Sequence, residues 1–75
     1  MTDNRFNPRK LALSKWTAVR PVAGERHFLV VRVPAADAPP EQQGRVEIEA
    51  VLTRRREWIE HTSLRDAANW RMGWH

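Results

Sequence analysis

The chain has 75 residues, no cysteine, and 13 Lys+Arg against 9 Asp+Glu, a net charge of +4. Such a length gives one small domain that buries roughly 60% of its unfolded surface, and without thiols it has neither disulfide staples nor thiolate metal centres. Its longest apolar run, Phe28 to Val31, falls far short of a membrane span. The opening Met1 to Pro8 has no apolar segment of the secretory kind. A cytoplasmic protein with no membrane partner is expected.

Met1 to Asn7 reads as a flexible lead, and Pro8 opens a short turn carrying Leu11 and Leu13. Lys15 to Val19 reads as a strand with Trp16 and Ala18 on one face. Pro21 ends that strand or lies on an edge, because it cannot donate a ladder bond. Ala23-Gly24 is a turn. His27 to Val33 is apolar on both faces, as in the middle of a small sheet.

Pro34 to Gly44 holds three of the five prolines and reads as a mobile hairpin loop. Arg45 to Leu52 alternates, with Val46, Ile48, Ala50 and Leu52 on one side and Arg45, Glu47 and Glu49 on a solvated side. Arg54 to Ile59 is a further strand, although Thr53-Arg54 also suits a tight turn. Ser63 to Met72 reads as a short helix, with Ser63 as N-cap and Asp66 completing a weak capping box. Gly73 suits the left-handed position after a helix end.

The expected fold is mainly β: a small antiparallel meander or SH3-like barrel of four to five strands with a short C-terminal helix. Its core draws on Trp16, Phe28, Val30, Val46, Ile48, Ala50, Leu52, Leu64 and Trp70. With four Trp, two Phe and no Tyr, Trp is the main aromatic. A cysteine-free core this small needs side chains of that size.

With the strands placed, an ordered set of residues stands out. It runs Lys15-Trp16-Thr17-Ala18-Val19 and Pro21, His27-Phe28-Leu29-Val30, Glu49 to Arg55, Leu64 and Asp66, then Trp70 and Gly73-Trp74. The set resembles the small tryptophan-rich family of bacterial proteins of unknown function, over nearly the whole chain from Asn7 to Trp74. His61 departs from the pattern, since family members often carry an aromatic, usually Trp, just before the Leu-x-Asp segment. The resemblance implies no activity. It points, through family association, to a photolyase- or cryptochrome-like flavoprotein as a partner.

The candidate chemistry is that of binding. No activated nucleophile stands beside a base, and His27, His61 and His75 are scattered without metal-ligand spacing. The chain is therefore read as non-enzymatic, with no cofactor and no metal. Arg54, Arg56 and Trp58 alternate, so on a strand they share one face. If Ile59 is buried, Trp58 is partly exposed, and an Arg stem is expected to cover it through a cation–π contact.

Trp70, Arg71, Met72 and Trp74 fall within five residues and are the types that dominate interface energetics. Recognition of an unidentified protein through Trp58, Trp74, Arg54, Arg56 and Arg71 is the expected function. The alternative is single-stranded nucleic acid, stacked on Trp58 with the arginines on phosphate.

Overall fold

The computed structural model describes residues 3–75, the side chain of Arg9 excepted. Strands β1 (Lys15–Val22), β2 (Glu25–Arg32), β3 (Arg45–Ala50), β4 (Arg56–Glu60) and β5 (Trp70–Met72) form one antiparallel sheet in the order β4-β3-β2-β1-β5. The first four strands are a meander. The chain then crosses one face of the sheet and lays β5 along the free side of β1. The sheet stays open, with β4 and β5 at its edges, so it is not the closed barrel that was the other expectation.

The turn between β1 and β2 follows from its chemistry. Ala23 (φ 55°) and Gly24 (φ 77°) are both left-handed, and Val22 pairs with Glu25 across them. A two-residue loop of that kind matches the twist of its strands. Pro21 lies within β1, where the register shifts between Thr17 and Val22, so the shifted stretch absorbs the residue that has no N–H.

Alternation assigns the two faces. Trp16, Phe28, Val30, Val46, Ile48 and Ala50 turn to the inner face and are buried there. Ile59 pairs with Val46 and packs against the same cluster, which sends Trp58 to the outer face. Trp70 reaches the core half-buried, edge-on to Phe28 with ring centroids 5.2 Å apart.

The inner face is closed by segments that are not strands. Leu11 follows a short 3-10 turn (Pro8–Lys10) and is 2% exposed. Leu64, fully buried, sits in a second such turn (His61–Arg65) on the crossover. Within the expected lead, Met1 and Thr2 lie outside the described residues. Phe6 meets Trp16 edge-on at 5.6 Å, and the Asn4 side-chain amide donates to the carbonyls of Leu64 (2.9 Å) and Trp70 (2.7 Å). Across the Pro34 to Gly44 stretch, the Gln43 side-chain amide donates to the carbonyls of Ala35, Ala36 and Ala38.

Three expectations are corrected. The C-terminal helix does not form. Asp66 accepts hydrogen bonds from the Ala68 N–H (2.9 Å) and the Asn69 side-chain amide (2.7 Å), a local turn that competes with helical bonding. Ser63 caps no helix; its hydroxyl donates to the Glu60 carbonyl instead. Leu52 is not core. Residues 51–53 are a turn that leads to Arg54 at φ 63°, so the alternation stops at Ala50 and Leu52 is 71% exposed. Glu49, placed on a solvated face, is buried beneath arginines.

Leu64→Ala should cost about 2–5 kcal/mol, the range for truncating a fully buried leucine. Leu52→Ala should stay within about 0.5 kcal/mol. Urea unfolding followed by Trp fluorescence checks both, and comparable losses for the two would contradict the placement of Leu52.

Candidate functional site: the outer face of the sheet

The strands place one side chain in every two on the outer face. One row runs Lys15, Leu29, Glu49, Arg56 through successive paired strands. Beside it lie Thr17 and His27 on one side and Glu47 and Trp58 on the other. Arg71 joins from β5, paired with Thr17.

Of the five residues expected to make contacts, Arg54, Arg56 and Trp58 cluster at the β4 end. Trp74 and Arg71 lie at the β1–β5 end. Trp58 is 39% and Trp74 42% exposed. The two groups come from opposite sides of the sheet, the Trp74 indole reaching in over β2 and Arg54 and Arg56 over β3.

At the β4 end the arginines are engaged. Arg56 Nε donates to Glu49 Oε1 at 2.8 Å, and Arg54 Nη1 reaches Glu49 Oε2 at 3.4 Å. Arg54 precedes β4 in a turn, and only its long side chain returns it to the face. The Arg56 hydrogen bond outweighs the cost of burial and holds the Glu49 carboxyl below the usual glutamate range. Arg32 adds a looser pair with Glu47 at 3.8 Å.

A second cluster joins the start of β2 to the start of β4. Arg55 donates through Nη2 to Glu25 Oε1 (2.7 Å) and through Nη1 to Glu57 Oε2 (2.7 Å). Thr53 donates its hydroxyl to Glu25 Oε2. Glu25 is 7% exposed, and its carboxyl is held below the usual range chiefly by the Arg55 hydrogen bond. The Arg55 guanidinium is correspondingly raised, with the Glu25 hydrogen bond the largest cause.

At the other end the chain folds back onto the sheet. The Gly73 N–H donates to the Lys15 carbonyl (2.8 Å), with Gly73 in the left-handed region at φ 83°. The Thr17 hydroxyl donates to the Gly73 carbonyl (2.7 Å) and accepts from the His75 N–H (3.0 Å). The Trp74 indole N–H donates to the Phe28 carbonyl at 3.0 Å. Lys15 Nζ stands 4.8 Å from the centre of the Trp74 ring, and His27 lies beside it at 5.9 Å. His27 is hydrogen-bonded through Nε2 to the main-chain oxygen of His75 at 2.8 Å.

The cation–π contacts found among the described residues are Lys15 on Trp74 and Arg65 on Phe6, not the expected Arg on Trp58. Sequence reasoning missed Thr17, whose hydroxyl pins the tail. It also missed Glu25, whose pairing with Arg55 joins positions 30 residues apart.

A shallow groove of about 470 Å³ lies elsewhere, between Leu11, Val33, Pro34, Val46 and His61. His61, on the second 3-10 turn, forms part of its wall. It meets Phe6 edge-on at 6.5 Å, and its Nδ1 is buried with no hydrogen-bond partner. Among the described residues there is no cluster of His, Asp and Glu able to hold a metal ion, and no helix long and apolar enough to cross a membrane.

The model of the family described as Tryptophan-rich protein (DUF2389) matches residues 14–75, and the chain belongs to that family. No curated protein and no solved structure matches the chain. The family is one of unknown function.

The two buried glutamates set a pH dependence. Their folded-state carboxyls titrate below the unfolded ones, so the unfolded chain takes up protons first as the pH falls. Their stabilisation is complete above the ordinary glutamate value of about 4.3 and is lost as the pH drops through the folded-state values. Urea midpoints measured over an acid series should fall in that window. Glu25→Gln should lower the midpoint at neutral pH and flatten the acid slope, and an unchanged slope would remove Glu25 as a cause.

Proposed function

We propose that this member of the tryptophan-rich family is a non-enzymatic protein-recognition module that uses the outer face of its sheet. The observation that carries the reading is the contrast between the two kinds of side chain on that face. The indoles of Trp58 and Trp74 remain about two-fifths exposed, whereas the neighbouring Arg54 and Arg56 are held by Glu49.

Exposed Trp on a rigid strand offers contact area at little entropic cost, and Trp leads the residues that dominate interface energetics. Trp74 is fastened by its own N–H and by Lys15, so its remaining surface is presented in a fixed pose. Arg71, exposed on β5, supplies the polar rim near it.

The same contrast weighs against single-stranded nucleic acid. A phosphate-binding stripe works through uncompensated positive charge that displaces the counterions condensed on the nucleic acid. Two of the three expected here share one buried carboxylate, which lowers the local positive charge. A photolyase- or cryptochrome-like flavoprotein is the first partner to try, on the family association alone.

Capture experiments with wild-type, Trp58→Ala and Trp74→Ala baits test the reading. One dominant specific prey should be retained by wild type and weakened by at least one variant whose fold is intact by circular dichroism. Prey lists identical for all three baits would reject the outer face as the contact surface. Adding a single-stranded oligonucleotide at low salt should leave Trp emission unchanged, and salt-sensitive quenching would favour nucleic acid instead.

A further inference from the structure

We propose that the free edge of β4 is a self-association surface. Two copies pair antiparallel about a twofold axis at Trp58, and their sheets run on into one. The inference rests on the protein-recognition reading of this face, and names a second copy as the partner that Trp58 meets.

The ladder between β3 and β4 decides which main-chain groups are spare. Ala50 donates its N–H to the Arg55 carbonyl (2.8 Å), and His61 donates to the Gly44 carbonyl (2.9 Å). Pairing in this register aligns Ile48 with Glu57 and Val46 with Ile59. In an antiparallel ladder the hydrogen-bonded residues alternate, so Glu57 and Ile59 turn their main chain to β3. Arg56, Trp58 and Glu60 turn theirs to the open side. The Glu60 carbonyl already accepts from the Ser63 hydroxyl and keeps a second lone pair.

Those three residues form a self-complementary set. When Trp58 faces Trp58 of the second copy, Arg56 faces Glu60 of that copy, and Glu60 faces its Arg56. All three are exposed on the outer face. The Arg56 Nε is committed to Glu49, and its terminal nitrogens are available to a carboxylate across the edge. Glu60 makes no ion pair among the described residues.

Moving the twofold axis by two residues, to Arg56 or to Glu60, places Arg56 against Arg56 or Glu60 against Glu60, and like charges directly opposite are destabilising. Moving it by one residue sets Trp58 against Arg56 or against Glu60 and forms no Arg56–Glu60 pair. Only the register centred on Trp58 opposes Arg56 and Glu60 twice over, so the charges favour it. A twofold contact of this kind is closed, so it ends at a dimer. A single short edge buries less than a standard interface, which makes the dimer weak and concentration-dependent.

Sedimentation equilibrium on the full chain, from micromolar to millimolar concentration, is the test, together with amide exchange followed residue by residue. The wild type should show a monomer–dimer equilibrium, and the Trp58 amide should gain protection as concentration rises. Glu60→Arg places Arg against Arg56 in the proposed register and should weaken the dimer about tenfold or more, with the monomer's amide spectrum otherwise retained.

A chain that stays monomeric throughout would overturn the proposal. So would a dimer in which the Trp58 amide gains no protection, one unaffected by Glu60→Arg, or open assembly beyond the dimer. The wild-type exchange data decide the matter even if the variant fails to fold. A specific prey without a dimer would remove only this proposal. A β4 dimer whose baits capture no other protein would confine the recognition reading to Trp58 and remove Trp74 from it.

Discussion

The fold depends on how the buried indole of Trp16 is satisfied. Trp16 is 1% exposed and sits where strand, lead and crossover meet. A buried indole N–H left without an acceptor is costly. Here it donates to the Ser14 hydroxyl at 2.9 Å, and that hydroxyl donates on to the Leu11 carbonyl. This relay fixes the turn before β1, in which Leu13 adopts φ 64° and donates its N–H to the Val30 carbonyl. Leu11 is thereby carried under the sheet. Phe6 covers another side of Trp16, and Asn4 ties the same segment to the crossover and to β5. One polar requirement of a large apolar side chain thus organises residues from both ends of the chain.

The parts legible in the sequence were those governed by a period of two. Arg45 to Ala50 was readable because one face is apolar and buried, and β2 because its run is apolar on both faces. The Ala23-Gly24 turn was also marked by residue type. The crossover was not, because its residues serve two structures. Leu64, Ala68 and Met72 recur at a helical spacing, yet only Leu64 is buried, and Asp66 captures the following amides before a helical turn can propagate. Leu11 and Phe6 belong to no periodic segment, so nothing local marks them as core. Trp58 was ambiguous in isolation and became definite only through Ile59, whose burial fixes the register of β4.

The arginines show how composition misleads without geometry. Arg54, Arg55 and Arg56 are consecutive, and alternation alone offers Arg54 and Arg56 to a partner beside Trp58. The strand sends Arg55 to Glu25 and Glu57 and Arg56 to Glu49, while the turn brings Arg54 back to Glu49 as well. Each buried carboxylate ties the β3–β4 connection to another part of the sheet. Removing a carboxylate would leave guanidinium groups without their partner, whereas an apolar pair of similar volume could pack as well or better. We read these networks as fixing register more than adding stability. They hold β4 in the one alignment that turns Ile59 inward and Trp58 outward.

That alignment leaves an asymmetry between the two edges of an open sheet. β5 is three residues long, and the chain's own residues meet its open side: the Trp70 carbonyl accepts from the Asn4 side-chain amide and the Trp70 N–H donates to the Asp66 carbonyl. β4 is five residues long and has no such cover among the described residues. Its main-chain groups meet water or another strand, and the side chains flanking them are a Trp and two opposite charges. Uniformly charged edges repel every incoming strand. An edge with Arg on one side of its midpoint and Glu on the other sets opposite charges against each other when it meets its own antiparallel copy. The network that positions Arg56 for Glu49 also fixes where that charge stands along the edge, so the interior ion pair and the selectivity of the edge have the same cause.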